Sequence, residues 1–210
     1  MMTIREAVKW GAKRLRDNNV DNADHDSFEL LSAINGMTRT FYLVNGDSML
    51  SEENFLLYEE YIDKRAAHVP LQHILGKAYF YGYEFEVNED VLIPRPDTEI
   101  LVEEVINIAK RMGKSKILDL CTGSGAIAIS IAKNVPNAEV YAVDISEKAL
   151  DIAKKDWEST SNMGESTVYF DVDGIEPSGE YRVLVTQDTK LIAYYMVNVS
   201  TGTFTKKVLN

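Results

Sequence analysis

Over the first 75 residues, apolar positions recur at helical spacing. Ile4, Val8 and Leu15, with Ala7 and Trp10 nearby, predict a first helix. Asp24 or Asp26 suits the N-cap of a second, running from Phe28 to Ile34 and ended by Gly36. Ser51 suits the N-cap of a third. Glu52 and Glu53 then sit in its first turn, against the positive end of the helix dipole. Leu56, Leu57, Tyr61 and Ile62 carry it to about Ala67, just short of Pro70. Near Lys77 the period changes. KAYFYGYEFEVNEDVLI alternates and is rich in aromatics, which predicts a hairpin over 77–93 with Asn88-Glu89-Asp90 as its turn. Tyr79, Phe80, Tyr81, Tyr83 and Phe85 supply the packed faces of that hairpin. Pro94 and Pro96 hold Arg95 in an extended segment. Asp97 or Thr98 caps the next helix, through Ile100, Leu101, Val105 and Ile108, and Gly113 stops it.

From Lys116 the order is strand (KILDL), glycine loop (CTGSG), helix (AIAISIAKNV) and strand (AEVYAVD), then a helix capped by Ser146. This is a right-handed βαβ unit with a following helix, the start of a doubly wound sheet. Near Trp157 the composition breaks. Fifteen of the 16 alanines precede residue 158, and residues 159–210 hold seven Val, seven Thr, four Tyr and two Phe. TVYFDVDG, EYRVLVTQ, LIAYYMVNV and TFTKKVL read as strands. Asp173-Gly174, Pro177-Ser178-Gly179, Asp188-Thr189 and Ser200-Thr201-Gly202 separate them as turns. These features predict an antiparallel meander that stands apart from the parallel sheet. Four segments result: a helical domain over 1–75, a hairpin linker over 76–96, a partial α/β domain over 97–158 and a small antiparallel β segment over 159–210. The βαβ unit then keeps an open edge, and a homodimer is one way to cover it.

With 210 residues the chain can bury a substantial core, and 45% hydrophobic with 26% charged residues excludes fibrous and disordered classes. A formal net charge of −11 disfavours broad nucleic-acid binding, because such a surface repels phosphate backbones. Cys121 is the only cysteine, so no intrachain disulfide forms. The charged N-terminal stretch lacks a signal-peptide core. No run approaches the roughly 20 apolar residues a membrane span needs. A cytoplasmic protein without membrane contact is predicted.

The chemistry concentrates in Asp119-Leu120-Cys121-Thr122-Gly123-Ser124-Gly125, with Asp144 a further 19 residues on. Gly123 and Gly125 allow a sharp turn after a strand and a close approach to a ligand. A carboxylate at the end of the second strand accepts hydrogen bonds from both hydroxyls of a ribose. Gly123-x-Gly125-x-x-Ala128 also fits a dinucleotide fingerprint, and a glycine-rich turn that binds nothing is a third reading. Asp119 separates them: a carboxylate there repels a pyrophosphate but suits the α-ammonium of S-adenosyl-L-methionine. His68 and His73 flank Pro70, far in sequence from His25, and read as polar linker residues. No metal site is assigned.

At these residues the chain resembles the HemK/PrmC family, the release factor N5-glutamine methyltransferases. The matching stretches are KRAAHVPLQHILGKAYFYGYEFEV, VLIPRPDTEILVE, ILDLCTGSGAIAISIA and AVDISEKALDIAKK, all before about residue 157. The resemblance implies a helical domain that recognises a class I peptide chain release factor and a Rossmann-like methyltransferase domain binding S-adenosyl-L-methionine. It implies cofactor contacts at Asp119, Cys121, Thr122, Gly123, Ser124, Gly125 and Asp144. The family's sheet has seven strands, of which two parallel ones are expected here. The reaction it implies is transfer of a methyl group to a glutamine side-chain amide. The family's catalytic signature, Asn-Pro-Pro-Tyr, does not occur in the sequence, so no catalytic residue is assigned and the chain is expected to be inactive alone. The alternative is a non-catalytic module that binds a nucleotide or a release factor.

Overall fold

A computed structural model describes residues 2–113, 115–160, 166–172, 180–187, 190–198 and 203–208, with side chains up to residue 170. The chain divides into two compact units, Met1–Gly76 and Lys77–Asn210. Among the described residues, no helix is long and apolar enough to cross a membrane.

The first unit is helical: α1 (Ile4–Asp17), α2 (Ala23–Asn35), α3 (Arg39–Asn45), α4 (Glu52–Ala66) and α5 (Leu71–Leu75). Thr3 caps α1 reciprocally with Glu6, and Ser51 caps α4 by accepting from the Asn54 N–H at 3.2 Å. The apolar stripes meet in one core around Leu15, Leu30, Leu31, Tyr58 and Ile62. Trp10 packs on that core, its ring 5.3 Å from Phe55 and 6.0 Å from Tyr58. Two polar features are built in. Ser27 Oγ donates to the Val8 carbonyl at 2.7 Å and lies 2.6 Å from Tyr58 Oη. Burial pushes the Tyr58 phenol up in pKa. The second helix begins earlier than its capping signals suggest, with Asn22 at the N-cap. Asp26 does not cap it. Its buried carboxylate receives the Arg65 Nε–H at 2.7 Å, an ion pair that ties α2 to α4.

The second unit opens with the hairpin β1 (Lys77–Phe80) and β2 (Tyr83–Glu86). Its turn is Tyr81-Gly82, not 88–90. Both residues have positive φ, 51° and 79°, as a two-residue turn matched to strand twist requires. Asn88 to Asp90 forms a later, separate bend, in which the Asp90 N–H donates to Asn88 Oδ1 at 2.8 Å. Alternation within the hairpin buries Phe80 and Phe85 edge-to-face and leaves Tyr79 exposed. A 3-10 turn, Pro96–Thr98, leads into α6 (Glu99–Met112), which Gly113 ends.

The remaining elements are β3 (Lys116–Leu120), α7 (Ala126–Asn134), β4 (Glu139–Asp144), α8 (Glu147–Thr160), β5 (Thr167–Val172), β6 (Glu180–Gln187), β7 (Lys190–Asn198) and β8 (Thr203–Val208). They form one six-stranded sheet in the order β5-β4-β3-β6-β7-β8. Ile117, Val140, Ala142 and Val168 pack into one core with Val102 and Ile106 of α6 and Ile129 of α7, and Trp157 of α8 packs on the same core.

The expected separate β segment is corrected in two respects. β5 pairs parallel to β4, from Glu139↔Thr167 to Asp144↔Val172, so the sheet has three parallel strands rather than two. The reason is the crossover: α8 returns the chain to the starting end of the sheet, which a short turn cannot do. β6, β7 and β8 do form an antiparallel meander, but β6 joins the same sheet, antiparallel to β3 at Lys116↔Thr186 and Ile117↔Val185. Both edges of the βαβ unit are therefore paired within the chain, and the open edge that suggested a homodimer is closed. The turns proposed at 173–174, 177–179, 188–189 and 200–202 lie outside the described residues.

Candidate functional site

The site forms where β3 and β4 end. β3 buries Ile117 and Asp119 on one face, so the carboxylate of Asp119, 3% exposed, lies beneath the loop that follows. Its Oδ2 accepts from Thr122 Oγ1 at 2.7 Å and from the Ala128 N–H, in the first turn of α7, at 3.2 Å. Burial pushes this carboxyl up to about 6, and the nearby Asp144 charge adds to the rise against the two hydrogen bonds.

The loop itself runs through left-handed backbone. Cys121, Gly123 and Gly125 have φ of 60°, 57° and 77°. Cys121 is exposed and bears the strain of that region for a side chain. The two glycines differ in what surrounds them. A Cβ on Gly123 meets nothing within 4 Å, so the backbone there faces open space. A Cβ on Gly125 lies 2.9 Å from both Ala153 Cβ and Ile129 Cδ1, so the absence of a side chain lets α8 close on the loop. Internal bonds hold the turn: the Thr122 N–H donates to the Val143 carbonyl at 3.0 Å and the Gly125 N–H to the Thr122 carbonyl at 2.9 Å. Thr122 and Ser124 are buried and serve the loop's interior.

Asp144 ends β4 and closes the arrangement. Its Oδ2 accepts from the Gly123 N–H at 2.9 Å and its Oδ1 from the Ser146 N–H at 3.0 Å. Each oxygen accepts one of these bonds, and a carboxylate offers about four acceptor sites in all. All seven residues singled out in the sequence thus fall in one loop-and-strand-end assembly. Ile145, an apolar residue between the strand end and the helix cap, is 66% exposed directly after Asp144. The Ser146 and Ala128 backbone donors carry no signal of their own in the sequence.

An open depression of about 490 Å³, lined by Lys110, Gly113, Val135, Pro136 and Asn137, lies where β3 and β4 begin. That is the wrong end for this chemistry, since ligands of open α/β sheets bind beyond the carboxyl ends of the strands. Among the described residues no group of three His, Cys, Asp or Glu gathers as a metal site.

The arrangement fits an adenosine-type ligand in three ways: an open glycine backbone, a two-oxygen acceptor for a diol, and a second acidic group underneath. Comparison with known proteins is consistent with this. Residues 6–76 match the PrmC N-terminal domain and residues 96–187 the methyltransferase small domain. The second match runs through β5 and β6, so the resemblance does not stop at the composition break near residue 157. The release factor glutamine methyltransferase of Bacillus subtilis (strain 168) is 36% identical over 182 residues, 84% of this chain and 61% of its own length. That of Geobacter sulfurreducens is 37% identical over 180 residues, 86% of this chain and 62% of its own. The chain spans about three fifths of the length of these curated relatives. A crystal structure of Pyrococcus abyssi tRNA (uracil-54, C5)-methyltransferase in complex with S-adenosyl-L-homocysteine aligns with 47% of this chain and 23% of its own, at 20% identity and TM-score 0.37.

Proposed function

The chain belongs to the HemK/PrmC family of release factor glutamine methyltransferases, and on that premise we propose that its glycine loop and Asp144 bind S-adenosyl-L-methionine for methylation of a glutamine side chain in a class I peptide chain release factor. The observation that carries the reading is the Asp144 carboxylate, fixed by the Gly123 and Ser146 N–H groups with acceptor sites to spare. Those remaining sites take the two ribose hydroxyls. The open backbone at Gly123 admits the donor closely, and exposed Ile145 offers an apolar wall to a flat ring. Asp119 fixes the loop from below through Thr122 and Ala128, and its charge favours an ammonium group above it.

Held by the glycine loop and Asp144, the donor would supply an electrophilic methyl to the glutamine amide nitrogen, a carbon–nitrogen bond forming as the sulfur–carbon bond breaks and the amide proton passing to solvent. An amide nitrogen is a poor nucleophile because its lone pair is delocalised into the carbonyl. Transfer therefore depends on holding that nitrogen in line, and positioning of this kind supplies roughly 7–11 kcal/mol of a barrier. The 210 residues contain no Asn-Pro-Pro-Tyr stretch to grip the amide. The chain by itself accordingly binds the donor and transfers methyl at a rate near background. The helical unit is the release-factor-recognising part, and the setting is the cytoplasm, where release factors work.

Two measurements test this. Calorimetry with S-adenosyl-L-homocysteine is expected to show binding by the intact chain, and its absence defeats the donor site. Incubation with labelled donor and a class I release factor, beside a full-length relative, is expected to show label transfer only with the relative. A comparable rate from this chain means that another loop holds the amide.

A further inference from the structure

Asp156 is buried, 7% exposed, on the face of α8 that meets the hairpin. Both of its oxygens point at one donor, the backbone N–H of Glu86 in β2, Oδ1 at 3.1 Å and Oδ2 at 3.0 Å. Carboxylates are rarely buried without a cation. The charged groups around this one are Glu86 and Glu84 on the facing strand, which oppose its ionisation, and Lys155 on its own helix, which favours it. Lys155 Nζ lies 3.9 Å from Glu86 Oε1. A second tie nearby is an exposed pair, Lys148 Nζ to Asp90 Oδ1 at 2.9 Å.

The helix that carries Asp156 touches two parts of the unit. Ala149 and Ile152 pack in one cluster with Ala78, Val87 and Val91, from the hairpin and the bend after it. Ala153 approaches Gly125 so closely that a side chain there has no room. Residues 153 and 156 are one turn apart, so the hairpin grip and the loop contact lie on adjacent parts of one helical face.

We propose that Asp156 is a positioning residue for the glycine loop: by gripping the Glu86 N–H it seats the hairpin on α8, and α8, through Ala153, holds Gly125 in its left-handed turn. The structural coupling stands independently of the ligand; its consequence for donor affinity rests on the function proposed above. The grip also responds to protons. Burial, with Glu86 and Glu84 adding to it, pushes the Asp156 carboxyl up to about 6. The seated hairpin therefore binds a proton more tightly than a released one, and seating strengthens as pH falls from 7 through about 6.

The test is amide hydrogen exchange on the full chain between pH 5 and 8, corrected for intrinsic rates. Asp156→Ala is expected to speed exchange about tenfold at Glu86, the loss of one buried hydrogen bond, and also at Thr122, Gly123 and Gly125. Lys148→Ala is expected to leave the loop amides unchanged. Asp156→Asn keeps an acceptor for Glu86 and removes the charge, so it is expected to keep wild-type protection at pH 5 and to abolish the pH dependence of exchange at Glu86. Should the alanine variant not fold, the asparagine profile decides. The proposal is overturned by Asp156→Ala loosening Glu86 while the loop amides keep wild-type rates, or by Asp156→Asn retaining the wild-type pH dependence at Glu86. Calorimetry with S-adenosyl-L-homocysteine separates the two readings. Binding by the wild type and about tenfold weaker binding by Asp156→Ala supports both. No binding by the wild type defeats the donor site alone, and the exchange rates still decide the coupling.

Discussion

The two units bury their acidic groups in opposite ways. In the helical unit, Asp26 is sealed in with Arg65 as partner, and the Ser27 and Tyr58 hydroxyls satisfy each other and the Val8 carbonyl. In the α/β unit, Asp119 and Asp156 are buried on neutral donors: a hydroxyl and an amide for the one, a single amide for the other. Ionising a carboxylate in such surroundings is unfavourable, and both carboxyls are pushed up to about 6. The first unit uses polar burial to hold helices together. The second gives up stability around its loop, as sites built for binding commonly do.

The sharpest break in the helical unit is Gly11→Ala. A Cβ there lies 2.1 Å from Tyr58 Oη and 2.8 Å from Ser27 Oγ, so overpacking and a lost buried hydrogen bond combine. A loss of about 3–5 kcal/mol is expected, read by chemical denaturation of the chain. In the α/β unit, Gly125→Ala forces a side chain into left-handed backbone at φ 77° and against Ala153. It is expected to cost about 2–4 kcal/mol and to weaken donor binding with it. A result below 1 kcal/mol shows that α8 can retreat.

Asp144→Ala touches function more than folding. It removes the acceptor for the Gly123 and Ser146 N–H groups and for the proposed ribose contacts. Donor affinity should fall by roughly 1.5–3 kcal/mol, checked by calorimetry, and unchanged affinity removes Asp144 from the site. The smallest effect tests the contrast itself. Asp119 titrates near 6 in the folded chain, above the ordinary carboxylate value of 3.8. Its contribution is full below the unfolded value and is lost as pH rises through about 6. Asp119 should therefore weaken the α/β unit by on the order of 2 kcal/mol from pH 4 to 7, and Asp119→Asn should remove that share of the slope while leaving the share due to Asp156.

Much of this was legible in the residues. Ser51, Gly36 and Gly113 bound helices by a side-chain cap and C-terminal glycines, which act locally. The loop from Asp119 to Gly125 with Asp144 was legible because its spacing fixes its geometry. Strand direction was not. TVYFDV has the same β-prone character whether it pairs parallel or antiparallel, and only the α8 crossover before it decides. The hairpin turn was misplaced because Asn88-Glu89-Asp90 looks more turn-like than Tyr81-Gly82, where a tyrosine takes a positive φ. Asp26 and Asp156 were opaque for one reason. An acidic residue on a helix looks like a cap or a solvated face until a partner distant in sequence is known, Arg65 for one and Glu86 for the other.

The chain has two tryptophans, and the division into units places one in each. Trp10 packs on the helical core beside Phe55 and Tyr58, while Trp157 packs on the core under the sheet. The protein thus carries its own pair of optical reporters. Emission from a Trp157→Phe chain follows the melting of the helices alone, and emission from a Trp10→Phe chain follows the unit that holds the glycine loop. A heating curve recorded on each chain turns the contrast between the two cores into two separate transitions, or shows that a single one serves both.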